Sequence, residues 1–395
     1  MLINKNIPIN LNIEISYIVG SYDNDKRVLF KKFDNQIKKC KSQIDELDNI
    51  NDWDKAKKYL NPFELIHITS NNQRKNSVAH YNPISRSYFK MIEMINKFNL
   101  CNMDDPMVVS NLAEGPGGFM EAILYYRNNY DDVIKGITLK SKKNSVPSWN
   151  KFSNLIKKYK NIQTYYGNLY NLKTIMNYAN TFEDRGVDLV TGDAGFDYSC
   201  DFNSQEVISH RIIFSEILAA LIIQKVGGSF ICKIFDTFHI LTLKLIYILY
   251  CLYDEVNLYK PATSRKANSE KYIVCKGFRG IDENLLANLC KIHTEWHELS
   301  LDNKTILDID NIKLPNEFVR YMFEYNSNFI NNQMKYINNT IELTKSFDRN
   351  IIHELICKQT NNAIEWCKQN NLELNYKSKY LYYYNINNNT DVKVI

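Results

Sequence analysis

No two of the nine cysteines (Cys40, Cys101, Cys200, Cys232, Cys251, Cys275, Cys290, Cys357 and Cys367) form a C-x-x-C pair, which argues against a zinc ribbon. Cys232 and Cys275 lie inside apolar runs, so the thiols read as buried, free and kept in a reducing compartment. Long apolar stretches are also missing. The most apolar, Ile240 to Tyr253, contains Lys244 and is too short to span a bilayer. The first residues, Met1 to Leu11, interrupt their apolar positions with Asn and Lys and show neither an h-region nor a cleavage site. The expectation is a soluble, intracellular protein with no membrane partner. No internal repeat is visible.

Charge of one sign is not in large excess: 49 basic against 44 acidic residues leave a net +5. That permits an RNA groove without demonstrating one, because nucleic-acid sites depend on local clustering. Apolar residues make up 45% of the 395, enough for a sizeable core and too many for wholesale disorder. Gly and Pro are few, at 13 and 8, while Lys, Asn, Ile and Tyr abound. This pattern reads as the codon bias of an AT-rich genome, such as that of a large DNA virus or a protist.

Three regions follow along the chain. Residues 1–84 form an N-terminal extension, in which the alternating run Ile9 to Ser16 predicts a half-buried strand and residues 31–60 read as helical and highly charged. Residues 85–280 form the main domain. It opens with an amphipathic helix over 85–99, whose apolar positions are Tyr88, Met91, Ile92, Ile95 and Phe98. Strands are then expected at 107–111, 133–139, 161–166, 187–191, 228–234, 255–259 and 271–276. Helices are expected at 118–129, 149–159, 171–180, 205–225 and 237–252. This alternation is that of a doubly wound α/β sheet with helices on both faces. Ligands in such sheets sit beyond the carboxyl ends of the strands, where strand order reverses. Residues 281–395 read as mostly helical, with an Asn- and Tyr-rich, mobile end from Asn371.

The segment Val108 to Phe119 (VVSNLAEGPGGF) follows the first of these strands and opens a helix. It has neither G-x-G-x-x-G nor G-x-x-x-x-G-K-[ST] spacing, so a nucleotide phosphate is not its obvious ligand. Gly115, Gly117 and Gly118 let the chain turn and a ligand approach, and Pro116 fixes the bend. The helix behind them is expected to offer unpaired N–H groups to a carboxylate. An amino-acid-bearing nucleoside such as S-adenosylmethionine suits that site; a simple strand-to-helix turn is the alternative.

Moving a methyl group from a sulfonium to a ribose hydroxyl requires a base to take the hydroxyl proton. A lysine can be that base only if burial or another cation lowers its pKa, with a carboxylate to orient it. Four segments supply such groups: Lys90 in SRSYFKMIE, Asp193 in LVTGDAGF, Lys233 in GGSFICKIF and Glu270 in SRKANSEKYIVC. Singly, a lysine on a strand is usually a solvated edge residue and an aspartate after one a turn residue. The ordered set with its flanking motifs is what carries information. In contrast, His293 and His297 stand at i and i+4 without the H-E-x-x-H pattern, so a zinc site is not expected there.

At these residues the chain resembles the FtsJ-type RNA 2′-O-methyltransferases, and within them the eukaryotic and viral cap-specific mRNA nucleoside-2′-O-methyltransferases. Their K-D-K-E tetrad maps in order onto Lys90, Asp193, Lys233 and Glu270, and their glycine-rich motif onto Leu112 to Phe119. The runs FICKIFDTF, Phe230 to Phe238, and KPATSRKANSEKYIVCKG, Lys260 to Gly277, match the cap-1 pattern nearly residue for residue; GITLK, Gly136 to Lys140, is also similar. The resemblance covers residues 55–280 well, the C-terminal helices weakly, and residues 1–50 not at all.

The resemblance implies a Rossmann-like, seven-stranded sheet whose last strand is antiparallel. It implies S-adenosylmethionine at Ala113, Glu114, Gly115, Pro116, Gly117, Gly118, Phe119, Thr138, Asn168 and Asp193. Lys233 would be the general base, with Asp193 and Lys90 keeping it neutral and oriented and Glu270 completing the network; no metal is needed. The substrate would be the m7G-capped 5′ end of mRNA, and other capping or transcription proteins are expected partners of a monomer. Its place would be the cytoplasm (the factory or virion, if viral) or the nucleus, if cellular. Lys57, Asn61, Phe63 and Glu64, in a segment like the family's N-P-Y-E, would lie near the cap, with Arg86, Lys140, Ser264 and Arg265 toward RNA. Phe63 and Glu64 equally suit core packing and a helix cap. The family often has acids where this chain has Asn111 and Asn168, positions near its donor. The alternatives are a ribosomal or transfer RNA 2′-O-methyltransferase, and a silent RNA-binding subunit of a capping complex.

Overall fold

A computed structural model of the chain describes residues 3, 11, 15–21, 27–47, 49–70, 72–142, 146–196 and 203–382. The N-terminal region holds strand β1 (Ser16–Gly20) and helices α1 (Lys31–Asp45) and α2 (Ile50–Leu60). The helical region expected over 31–60 is formed by these two helices, and Asn49 starts the second by accepting a hydrogen bond from the Asn51 amide. Helix α3 (Ser87–Phe98) then leads into β2 (Val108–Leu112), α4 (Gly118–Arg127), β3 (Val133–Thr138), α5 (Ser153–Lys158), β4 (Ile162–Tyr166) and α6 (Leu172–Ala179). The second half runs β5 (Val187–Gly192), α7 (Gln205–Ile223), β6 (Gln224–Ile234), α8 (Ile240–Leu252), β7 (Tyr253–Tyr259) and β8 (Lys271–Phe278). Last come α9 (Glu283–Leu301), β9 (Thr305–Asp310), α10 (Asn316–Lys345) and α11 (Arg349–Gln369).

The seven-stranded sheet has the order β4-β3-β2-β5-β6-β8-β7. Neighbours from β4 to β6 pair in parallel, whereas β8 pairs antiparallel with both β6 and β7. Strand order reverses between β2 and β5, the two strands whose ends carry the glycine turn and Asp193. Successive residues of the central strands feed opposite faces. Val190 and Phe230 join the core under α7, α8 and α9, while Leu189 and Ile231 join the one under α3, α4 and α11. Helix α7 is buried on nearly every side, which is why its Ile-rich sequence lacks a polar face.

One departure from the sequence reading concerns the extensions and another the main domain. Most of the strand expected over 9–16 lies outside the described residues. The strand that forms, β1, pairs antiparallel with β9, Ser16 opposite Asp310, inside a region read as helical. A six-residue strand whose partner is nearly three hundred residues away leaves no local signal of that pairing. The helix expected from 237 begins at Ile240, because the Glu206 carboxylate takes the Phe238 and His239 amides, each at 2.9 Å. Helix α11 closes the molecule: the Gln359 amide donates to the Lys58, Tyr59 and Asn61 carbonyls, at 2.7, 2.9 and 2.7 Å, at the end of α2. The eight described cysteines are free, Cys40, Cys232, Cys251, Cys275 and Cys367 being buried and Cys357 exposed; Cys200 lies outside the described residues, as do 383–395 of the tail. Among the described residues no helix is long and apolar enough to cross a membrane.

Candidate active site

The glycine turn leaves the end of β2 through two left-handed residues, Ala113 (φ 51°) and Gly117 (φ 111°). Gly118 lies against α3: a Cβ there would fall 2.0 Å from the Ser87 hydroxyl and 2.2 Å from that of Ser85. Across the turn the Gly115 amide donates to Thr138 Oγ1 at 3.2 Å, so buried Thr138 braces the loop from the end of β3. Ala113, Gly115 and Pro116 remain part-exposed on its rim.

The free helix N-terminus expected here is not free. Glu114 folds back and accepts from the Phe119 amide at 2.6 Å and the Met120 amide at 3.4 Å, capping α4 from within. Phe119 is a core residue, fully buried with its ring centroid 5.9 Å from that of Tyr272. Burial, then the nearby Asp193, holds the Glu114 carboxyl well above the usual carboxylate range. Its Oε2 is buried with no hydrogen-bond partner among the described residues. Asn111 does not face the turn either: its amide is spent on the Lys135 carbonyl (3.2 Å) and the Thr191 hydroxyl (2.9 Å) inside the sheet. Asn168 stands exposed beyond β4, closing a turn with the Tyr170 amide at 3.0 Å.

The four sequence-selected residues converge beside this turn. Lys233 Nζ, near the end of β6, lies 3.3 Å from Asp193 Oδ1 and donates to the Asp193 carbonyl at 2.9 Å. Lys90 Nζ, on α3, lies 2.6 Å from Glu270 Oε1. The side chains of all four are between 11% and 16% exposed, sheltered yet reachable. Gly195 leaves the approach to Lys233 open, since a Cβ there would sit 3.1 Å from Nζ.

The charge state of Lys233 differs from the expectation. Burial alone would lower its pKa, but Asp193, then Glu270 and Glu216, outweigh burial and raise it to about 12. Three carboxyl groups act on one ammonium, so the side chain is cationic at neutral pH. Partial burial would raise Glu270, yet Lys90 and then Lys233 hold it down to about 2.

Three supporting residues escaped the sequence reading. Tyr272 faces Lys233 in register across β6 and β8, and its hydroxyl donates to Asp193 Oδ1 at 2.9 Å. Glu216, on α7, accepts from the Ala194 amide at 3.1 Å and fixes the backbone after Asp193; burial pushes its carboxyl up to about 8. Lys260 is half-buried and donates to the Glu270 carbonyl at 2.8 Å. An acid in the middle of the apolar run Ile213 to Ile223 was a visible signal for Glu216. Tyr272 and Lys260 had only their place in the matched motif.

The residues assigned to the cap do not form an open slot. Glu64 Oε1 pairs with Arg265 Nη2 at 2.8 Å and with Arg86 Nη1 at 3.5 Å, and Asn61 Nδ2 donates to Glu64 Oε2 at 2.5 Å. Arg86 also donates to the carbonyls of His67 (2.9 Å) and Thr263 (3.4 Å), so it is an internal tie and not an open phosphate contact. Ser264 is buried, its hydroxyl on Glu270 Oε1 at 2.8 Å. Lys57 pairs with Asp54 at 2.6 Å, Phe63 packs against the core beside α3, and Lys140 is exposed with Nζ 5.9 Å from the Tyr166 ring.

His293 and His297 go to different partners, the first to Ser215 (3.0 Å) and the Leu169 carbonyl (2.9 Å), the second to Arg211 (2.8 Å). Glu206, His210 and His239 do gather, with ligand-capable atoms within 4.8 Å of one another. Hydrogen bonds account for the group: Thr242 donates to Glu206 at 2.6 Å and meets His210 Nε2 at 2.9 Å, while Glu206 caps α8.

Residues 83–278 match the FtsJ-like methyltransferase family. The chain is 31% identical over 317 residues, 75% of its length, to cap-specific mRNA (nucleoside-2′-O-)-methyltransferase 1 of Mus musculus, covering 37% of that protein. It is 30% identical over 267 residues to the 1A protein of the same name from Caenorhabditis briggsae, covering 30% of it. The chain therefore spans about a third of the length of these curated relatives. Among solved structures it is similar to a putative ribosomal RNA methyltransferase from Plasmodium falciparum, with TM-score 0.38 and 22% identity over 50% of this chain and 99% of that one. The glycine turn and all four converging side chains fall inside the matched span, and with that match the chain belongs to the FtsJ-like methyltransferase family.

Proposed function

We propose that this chain transfers a methyl group from S-adenosylmethionine to the ribose 2′-OH of the first transcribed nucleotide of m7G-capped mRNA, converting cap 0 to cap 1. The observation that carries the reading is the convergence of Lys233–Asp193 and Lys90–Glu270 beside the glycine turn at the strand-order reversal. The names of the curated relatives support the cap as substrate.

The residues present fit a cationic donor. Asp193 supplies a carboxylate at the end of β5 beside the turn that leaves β2, and Glu114 Oε2 is a buried polar atom with no hydrogen-bond partner among the described residues. Ala113, Gly115, Pro116 and Gly117 would form the turn that holds the donor, with Asn168 on the rim. Bound S-adenosylmethionine supplies an electrophilic methyl group on a positively charged sulfur. Lys233 Nζ is the proton acceptor for the 2′-OH, aimed by the Asp193 carbonyl and carboxylate. Because its pKa stands near 12, only a small neutral fraction exists at pH 7, and the transfer rate rises with pH. Lys90 and Glu270, paired at 2.6 Å, orient the hydroxyl.

Tritium-labelled S-adenosylmethionine tests the reading: cap-0 RNA becomes labelled and the same RNA without a cap does not. Equal labelling of both would remove the cap claim in favour of a ribosomal or transfer RNA substrate, and RNA binding with no transfer would indicate a silent subunit.

A further inference from the structure

Glu93 lies on α3, one turn beyond Lys90, and is 6% exposed. Its carboxylate receives five donors from two distant parts of the chain. Oε1 accepts from the Tyr259 hydroxyl and from the Ala262 amide at 2.6 Å. Oε2 accepts from the Thr263 amide (3.3 Å), the Thr263 hydroxyl (3.2 Å) and Trp366 Nε1 (3.2 Å). Tyr259 ends β7, and Ala262 and Thr263 belong to the β7–β8 connection, which continues through Ser264, bonded to Glu270, to Glu270 itself. Trp366 belongs to α11, is 3% exposed, and meets Phe89 of α3 edge to face at 5.9 Å.

We infer that Glu93 is a positioning residue for the Lys90–Glu270 pair, and that through Trp366 it makes the C-terminal helix α11 part of the active-site framework. This rests on the function proposed above. Helix α3 grips the β7–β8 connection at two points, Lys90 at Glu270 and Glu93 at Ala262–Thr263. If the second grip loosens, the connection shifts relative to α3, and Glu270 loses its contact with Lys90 and its influence on Lys233. The chemistry of the site specifies a carboxylate. Every neighbour presents a hydrogen, and only an ionised acid accepts on both oxygens without offering a hydrogen of its own. A glutamine of the same shape turns an N–H toward another N–H or O–H.

Glu93→Gln and Trp366→Phe are compared with the wild-type chain on cap-0 RNA. Glu93→Gln should lower kcat about thirtyfold, with donor Kd and RNA KM within twofold. The pH–rate midpoint should move to lower pH, because a displaced Glu270 no longer raises Lys233. Trp366→Phe keeps the ring and loses one donor; it should lower kcat about threefold, with donor Kd again unchanged. A core staple with no positioning role would lower the melting temperature and leave the kcat of the folded fraction and the pH midpoint where they were, and that result overturns the inference. Should Glu93→Gln not fold, an unchanged kcat in Trp366→Phe overturns it equally, whereas the threefold loss upholds it. Wild-type chain inactive on every RNA would instead remove the functional reading beneath it, and the inference with it.

Discussion

Two charged clusters flank the β7–β8 connection and use the same residue types to opposite ends. Lys90, Asp193, Lys233 and Glu270 keep a sheltered opening, whereas Glu64, Arg86 and Arg265 close on one another and on backbone carbonyls. What separates them is how the donors are used. Arg86 spends its donors on Glu64 and on the carbonyls of His67 and Thr263, leaving little for a ligand. Lys233 is held by the Asp193 carbonyl and carboxylate, and Gly195 puts no side chain against its Nζ. A charged residue near a reactive cleft is a ligand contact only if its hydrogen-bonding capacity is not already consumed.

The sharpest way to break this contrast is to remove Lys233. Lys233→Ala should lower the transfer rate roughly a thousandfold while donor Kd, read by calorimetry, changes less than twofold; substantial residual turnover would mean that another group takes the proton. Next, Glu64→Ala should destabilise the fold by about 3 kcal/mol, because two guanidinium groups lose their buried partner, and urea unfolding of the purified chain checks it. The same carboxylate has a pH signature. Arg86 and Arg265 overcome the burial penalty and hold it at about 2, below its ordinary 4.5. Its stabilisation is therefore complete above about 4.5 and is lost as pH falls toward 2. A wild-type chain no more acid-sensitive than Glu64→Ala would show that this cluster is not the closed one.

A smaller effect tests the open cluster by pH. Lys233 is raised by Glu270, so Glu270→Gln should move the midpoint of the residual pH–rate profile to lower pH, alongside a lower plateau. An upward move would reverse the assigned electrostatics. The smallest change concerns the rim: Asn168→Asp should alter donor Kd by about threefold at most, since Asn168 is exposed and its carbonyl is engaged in a local turn.

The sheet, its helices and the four convergent side chains were legible because each rests on a local pattern. Alternation gave the strands, and the flanking motifs, through the family resemblance they carry, singled out Lys90, Asp193, Lys233 and Glu270. The inner ties were not legible. Arg86 reads as a phosphate contact until its carbonyl partners, 19 and 177 residues away, are known. The lowered lysine pKa was expected from burial or a neighbouring cation, but three carboxyl groups from different segments reverse the sign. Glu114 looked like part of a donor loop, and its role as the cap of α4 depends on the chain folding back on itself. In each case the deciding fact is a long-range partner or a charge sum, neither of which residue type or spacing encodes.

The reversed direction of β8 has a consequence for how such a site can be assembled. Parallel strands bring only their exits to one rim of the sheet, so a residue that precedes a strand would emerge at the far rim, about 25 Å away for eight residues. Because β8 enters where β6 leaves, Glu270, the residue before its first position, arrives beside Lys233 at the end of its neighbour. One reversed strand thus lets an entrance and an exit share a rim, and two segments of opposite polarity can be inherited as a single contiguous stretch of chain.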